Sequence, residues 1–306
     1  MKDILVGYSG FVGSNIAEKH NFDGLYNSKN IEYAFGTKPD LLIYSGVPSA
    51  MFLANNFPEK DLEIIKNAME NIKKINPKTV VLISTIAVYS NPVDIDENSE
   101  INIEELTTYG KNRLLLERFV EENYDSYLIV RLPALFGKNI KKNFIYDYIH
   151  LIPSLLTEMK FNELIKKDDL IKDYYTLQDN GFYKCKELDA EENNLLKEYF
   201  KKIGFSALNF TDSRSVYQFY DLSHLWEHIE IALKNGIKKL NLATEPIQVG
   251  ELYEALCGEK FVNELNKPPF NYNYKSIHAN IFDGKNGYLY NKKEVFEQIK
   301  NFIRVA

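Results

Sequence analysis

Short apolar runs alternate with helical patterns through roughly the first 140 residues of the chain. ILVGY (4–8), GLYN (24–27), PDLLIYSG (39–46), TVVLIST (79–85) and YLIVRLP (127–133) read as strands. Between them lie helical patterns at about 12–19, at 58–75 and at about 108–123. In the second, Leu62, Ile65, Ala68, Ile72 and Ile75 recur at three- and four-residue steps, which is the buried stripe of an amphipathic helix. The strand runs are continuously apolar rather than alternating, as expected where helices cover both faces of a parallel sheet. The β-α-β order therefore predicts an α/β fold built on a doubly wound parallel sheet.

Beyond residue 137 the pattern changes. Residues 138–205 are polar, rich in Lys, Glu and Tyr, and read as mostly helical. Within them, 179–205 reads as a helical subdomain, a lid or a subunit interface. VYQFYDLSHLWEHIEIAL (216–233) begins extended and passes into an amphipathic helix that takes Trp226 into the core. KKLNLA (238–243) is a further strand and QVGELYEAL (248–256) a further helix. The expected division is a sheet domain over 1–137 and a smaller, mostly helical lobe over 138–306, with an insertion at about 150–210. This lobe is expected over the carboxyl ends of the strands, with some segments returning to the sheet.

A chain of 306 residues, 45% hydrophobic and 26% charged, suits a soluble globular protein with two lobes sharing a cleft. A net charge of −6 gives no reason to expect nucleic acid or an anionic membrane as partner. No apolar run is long enough to span a membrane, and the short apolar opening is interrupted by three glycines with no cleavage site after it. A cytoplasmic location is expected. Cys185 and Cys257 belong to no CxxC or Cys/His cluster, which argues against a disulfide framework or a zinc site. His224 and His228 are spaced for one helix face, but no third ligand can be placed beside them, so no metal is expected.

Gly7, Gly10 and Gly13 follow the first strand directly, in GYSGFVG. Glycines there permit a tight turn and close backbone approach, and the helix that starts at Phe11 and Val12 faces its amino end to a pyrophosphate. This is the cofactor turn of a Rossmann dinucleotide-binding domain. An acid at the end of the second strand would favour NAD. YNSKN (26–30) has none and offers Asn27, Ser28 and Lys29, which suit a 2′-phosphate, so NADP is favoured over NAD.

The fourth strand ends with Ser84 and Thr85 at the carboxyl edge, where doubly wound folds bind ligands. TTYGKNR (107–113) then places Tyr109 and Arg113 one helical turn apart, on the same face, whereas Lys111 points away. In order and approximate spacing, GYSGFVG, STIAVY, YGKNR and RLPALFG resemble the extended short-chain dehydrogenase/reductase superfamily. More narrowly they resemble its NAD-dependent epimerase/dehydratase branch, whose members act mainly on nucleotide-activated sugars. The resemblance is firm over 1–137, weaker over roughly 214–256, and absent over 150–210.

It implies that Tyr109 is the general acid/base and that Thr85 hydrogen-bonds the reacting oxygen, with Ser84 beside it. Ser45 and Gly46 would lie beside the cofactor, and Leu132 and Pro133 near the nicotinamide. At the position of Arg113 the resemblance implies a lysine that binds the nicotinamide ribose and lowers the tyrosine pKa. A free tyrosine titrates near 10, and a cation within about 4–6 Å favours its ionised form. Arginine supplies that charge with a different geometry.

A nucleotide-sugar substrate requires a diphosphate site, for which Lys138, Lys141, Lys142 and Asn143 are candidates, together with Arg214 and Gln218 from a later segment. The leading expectation is reduction of a keto-sugar, with Tyr109 as proton donor. Epimerisation by transient oxidation uses the same pair. Dehydration ranks lower because Ile86 and Ala87, not acids, follow Thr85. From a different class, a non-catalytic dinucleotide-binding sensor or scaffold competes. A homodimer through a helix pair of the main sheet is expected by analogy with relatives.

Overall fold

The computed structural model describes residues 2–305. Its sheet contains β1 (Asp3–Val6), β2 (Gly24–Tyr26), β3 (Leu41–Tyr44), β4 (Thr79–Thr85) and β5 (Ser126–Leu132), with Lys239–Asn241 as the last strand. The order across the sheet is Lys239–Asn241, β5, β4, β3, β1, β2, and every pairing is parallel. The chain order reverses between β1 and β3, so the ligand crevice of a doubly wound sheet lies outside their carboxyl ends.

Helices α1 (Phe11–Ala17), α2 (Met51–Asn56), α3 (Pro58–Ile75) and α4 (Thr108–Asn123) connect the early strands. α3, β4 and α4 keep the bounds that their patterns predict. Successive strand residues divide between two layers, as the pleat requires. Leu5, Ile43 and Val81 pack with Ile16 of α1 and with Trp226 and Ile229 of the helix Leu225–Lys234. Ile4, Leu42 and Val80 pack with Ile65 and Ile72 of α3 and with Leu116 and Val120 of α4. The segment 225–241 thus returns to the sheet, adding a helix to one face and a strand to one edge.

Beneath the carboxyl edge, two buried charges join α4 to β5. Arg131 reaches Glu117 through Nη2 at 2.7 Å and through Nε at 3.2 Å, and both side chains are almost wholly buried. Ser84 of β4 donates to the same carboxylate. Arg131 also donates to the Tyr89 hydroxyl at 2.6 Å, which in turn donates to the Asp96 carbonyl at 2.8 Å.

The insertion differs from its predicted helical character. After β6 (Ala134–Phe136) and α5 (Phe144–His150), the strands Leu155–Thr157, Tyr175–Leu177 and Phe182–Cys185 form an antiparallel sheet. Helices Glu158–Ile165 and Ala190–Lys202 pack on it around Leu156, Phe161, Leu164, Leu196 and Phe200. Within 179–205 only Ala190–Lys202 is α-helical. The lysine- and glutamate-rich composition conceals a hairpin whose turn is Asp179-Asn180-Gly181, with Gly181 at φ +78°. That left-handed position is the mark of a short hairpin loop.

Removing the cation from the buried pair should be costly, because Glu117 would remain desolvated without its partner. Arg131→Met is expected to lower unfolding stability by about 3–5 kcal/mol in urea titration. A change below about 1 kcal/mol would show that the pair does not hold the edge together.

Candidate active site

The first turn of α4 is held unusually close to the end of β4. Thr107 caps the helix by accepting from the Gly110 N–H at 3.3 Å, and Asn55 of α2 accepts from the Tyr109 N–H at 3.1 Å. These satisfy donors that a helix start leaves without partners. A Cβ on Gly110 would lie 2.3 Å from the Ala87 carbonyl oxygen, so only glycine permits this seating. Ala87 belongs to a 3-10 turn capped by Thr85, whose Oγ1 accepts from the Ala87 N–H at 3.2 Å.

The close seating brings Tyr109 to Thr85. Tyr109 is 5% exposed, and its pKa lies above the usual tyrosine value. Burial is the dominant cause. The Arg113 charge and the Thr85 hydroxyl pull the other way, and the Asp61 charge adds to the rise.

Burial outweighs Arg113, and Arg113 is itself held by the contact between α3 and α4. Buried positions on α4 include Tyr109, Asn112, Arg113, Leu116 and Val120. Those on α3 are Asp61, Ile65, Ala68, Ile72 and Ile75. The apolar stripe of α3 therefore begins, one turn before Ile65, with a carboxylate. Asp61 Oδ2 accepts from Arg113 Nη1 at 2.7 Å and from Asn112 Nδ2 at 2.8 Å. The other arm of Arg113 donates to the Pro48 carbonyl at 2.7 Å, and the guanidinium carbon stands 4.2 Å from the centre of the Tyr109 ring. The expected free cation is thus a buried, paired one. Ser84 is also corrected: its hydroxyl is engaged by Glu117 inside the fold rather than presented at the edge.

The glycine turn meets the end of β3 backbone to backbone. Gly7 has φ +93°, and a Cβ there would lie 2.4 Å from the Ser45 carbonyl oxygen. A Cβ on Gly13 would lie 2.1 Å from the Gly7 carbonyl oxygen. These contacts set Gly10, Phe11 and Val12, which follow on the turn, beside Ser45 and Gly46 at the end of β3. Asn27 ties the end of β2 to this turn through Ser9 Oγ at 3.3 Å. Ser28 and Lys29 are exposed beside it, and among the described residues the Lys29 ammonium has no ion-pair partner. Leu132 stands opposite Thr85 in the register of β4 and β5, with Pro133 next to it.

A cavity of about 370 Å³ lies between α5 and the antiparallel sheet of the insertion, and Lys141, Lys142, Asn143 and Asp147 form its α5 wall. Lys142 donates to the Ser49 carbonyl at 2.8 Å, linking this wall to the loop after β3. Asn143 caps α5, accepting from the Ile145 and Tyr146 N–H groups. Its backbone sits at φ +105°, a strained conformation for a residue with a side chain. Lys138 is drawn instead to Glu18 at 2.6 Å.

Two predicted ligand residues are not brought to this cavity. Arg214 is clasped by Asp212 and Glu264 at 2.7 and 2.9 Å. Gln218 is 1% exposed, donates to the Thr244 and Tyr274 carbonyls, and accepts from the Tyr274 N–H. Gln218 is drawn inward because buried backbone groups there need partners, whereas Arg214 stays partly exposed and is held by the buried Asp212 carboxylate. His228 likewise meets the Tyr220 and Tyr290 hydroxyls at 2.7 and 3.2 Å. No group of three or more His, Cys, Asp or Glu residues among those described is placed to hold a metal. No helix among them is long and apolar enough to cross a membrane.

Asp61, Asn55 and Asp147 escape sequence reasoning. Asp61 alone carries a signal, since continuing the three-four spacing of α3 backwards from Ile65 lands on it. Asp147 has no hydrogen-bond or ion-pair partner for its carboxylate among the described residues, and burial pushes its pKa up to about 7. In the folded chain it holds its proton up to that pH, and in the unfolded chain only to about 4. Stability should therefore fall as pH rises from about 4 to about 7 and then level off. Asp147→Asn is expected to melt with the wild type near pH 4 and above it at pH 8. Parallel melting curves across this range would refute the assignment.

The family model for the NAD dependent epimerase/dehydratase family matches residues 24–172. No curated protein matches the chain. Among solved structures it is similar to dTDP-4-dehydrorhamnose reductase from Bacillus anthracis in complex with NADP. That match has 15% identity and a TM-score of 0.64, covering 100% of this chain and 99% of that one. It is also similar to UDP-N-acetylglucosamine 4-epimerase from Methanobrevibacter ruminantium in complex with UDP-N-acetylmuramic acid, at 12% identity and a TM-score of 0.63, covering 99% and 97%. A third is the enzyme WbmG from Bordetella bronchiseptica in complex with NAD and UDP, at 13% identity and a TM-score of 0.63, covering 100% and 94%. At these identities the likeness is one of fold. Over residues 24–172, which include Thr85 and Tyr109, the chain is thus similar to the NAD dependent epimerase/dehydratase family, and its parallel sheet has the fold of these solved structures.

Proposed function

We propose that this protein reduces a keto-sugar carried on a nucleotide, using NADP(H) in preference to NAD. The observation that carries the reading is the phenol of Tyr109, seated on Thr85 at the carboxyl edge and kept protonated by burial. In this reading the glycine turn receives the pyrophosphate, and Ser28 and Lys29 receive the 2′-phosphate. When bound, the cofactor supplies the hydride. Thr85 orients the substrate carbonyl, and Tyr109 gives its proton to the carbonyl oxygen as the carbon is reduced, leaving an alcohol. Lys142 and the α5 wall of the cavity receive the diphosphate. A protonated phenol favours reduction over epimerisation, which must first remove a proton from a hydroxyl. The reductase structure solved with NADP supports the choice of cofactor and reaction class.

One observation favours a second reading. Arg113 is paired and Tyr109 is buried, as a non-catalytic dinucleotide-binding protein would allow. Purified protein with NADPH, tried against a panel of 4-keto nucleotide sugars, separates the two. Turnover that falls about 10²–10⁴-fold in Tyr109→Phe, with NADPH affinity retained, is the expected result. Turnover unchanged in Tyr109→Phe would overturn the mechanism, and cofactor binding without turnover would select the second reading.

The protein is proposed to act in the cytoplasm as a homodimer. Phe57 before α3, Ile64 on it and Leu115 on α4 are exposed apolar residues on packed neighbouring helices, which suits a shared face. Light scattering should give twice the chain mass, and Ile64→Glu with Leu115→Glu should halve it. A monomer in the unmodified protein would refute the dimer.

A further inference from the structure

We propose that Asp61 is a positioning residue for Tyr109: by pairing with Arg113 it offsets part of the nearest positive charge and holds the guanidinium over the ring, which helps the buried Tyr109 meet its substrate carrying a proton. The inference deepens the reductase reading and rests on it for its functional meaning, although the pairing itself can be tested without turnover.

The geometry is closed on every side. Arg113 has one arm on Asp61 and the other on the Pro48 carbonyl, both at 2.7 Å. Its charged centre faces the Tyr109 ring from 4.2 Å. Asn112 holds Asp61 from a second direction at 2.8 Å, so the carboxylate cannot swing away without abandoning two donors. The side chains of Asp61 and Arg113 are 8% and 6% exposed, so water does little to screen either charge. The groups that act on the phenol are Arg113 from α4, Asp61 from α3 and the neutral Thr85 from β4. α2 contributes only the neutral Asn55, which holds the Tyr109 backbone N–H.

An unpaired arginine in this place would pull the phenol toward ionisation, since an opposite charge within about 4–6 Å lowers an acid's pKa by about 1–3 units. The structure instead places a carboxylate against that arginine, and the net charge of the pair is zero. A tyrosine beside a neutral pair is suited to giving a proton to a carbonyl oxygen. It is poorly suited to taking one from a hydroxyl. Asp61 thereby biases the site toward reduction.

The experiment uses full-length protein labelled with carbon-13 at tyrosine Cζ, with the Tyr109 resonance assigned by its loss in Tyr109→Phe. In Asp61→Asn, Tyr109 is expected to titrate about 1–3 pH units lower than in the wild type. The double variant Asp61→Asn with Arg113→Gln should bring it back, because neutrality is restored without the ion pair. Equal titration of Tyr109 in wild type and Asp61→Asn would overturn the proposal. Should Asp61→Asn fail to fold, Arg113→Gln is compared with the double variant instead. Tyr109 must titrate higher in the single variant, where Asp61 is left unbalanced, than in the double one, and equal values would refute the proposal. The pH profile of keto-sugar reduction is the second readout, and its alkaline limb should move to lower pH in Asp61→Asn. Absence of reduction in the wild type would sink the functional reading, leaving the resonance titration to judge the pairing.

Discussion

The buried pair of Glu117 and Arg131 is the constraint on which the carboxyl edge depends. Two charges removed from water are tolerated only when each keeps its full set of partners. Here those partners come from different elements. Ser84 brings in β4, Arg131 brings in β5, Glu117 brings in α4, and Tyr89 carries the chain of hydrogen bonds to the Asp96 carbonyl. A strand shifted by one residue would leave at least one charge unmet. The pair therefore fixes the relative heights of β4 and α4, and with them the meeting of Thr85 and Tyr109.

A second buried pair, Asp61 with Arg113, sits closer to the chemistry and acts differently. The first joins β4, β5 and α4, whereas the second holds a guanidinium over the Tyr109 ring. The family resemblance implies a cation beside the tyrosine, and a cation is present. Arg113 still pulls the phenol toward ionisation, Asp61 opposes it in part, and burial outweighs both. Gly110 completes the arrangement by letting the helix approach the strand end closely enough for both pairs to be effective at once.

Much of the sheet domain was legible in the sequence. The stripe of α3 and the unbroken apolar run of β4 leave little choice of element or bounds, since tertiary packing agrees with local pattern there. The insertion was less legible because its hairpin strands mix Tyr, Phe and Leu with lysines, a composition that resembles a solvated helix. At the site, the glycine spacing and the Tyr109 position were readable because they are local patterns. The partner of Arg113 was not, since it lies 52 residues away in the chain and enters on another helix. Gln218 and Arg214 misled for the same reason: their partners, the Thr244 and Tyr274 carbonyls and the Asp212 and Glu264 carboxylates, are set by the assembled structure.

The insertion carries its own small core, with Leu156, Leu164, Leu196 and Phe200 fully buried within it. Its sheet forms one wall of the cavity, while Thr85 and Tyr109 lie on elements of the main parallel sheet and its helices. The cavity wall and the Thr85–Tyr109 edge thus rest on separate hydrophobic clusters. Change in the first can accumulate without passing through states that damage the second. In a chain built in this way, substitutions along the cavity wall have to respect the insertion's own cluster rather than the packing of the main sheet.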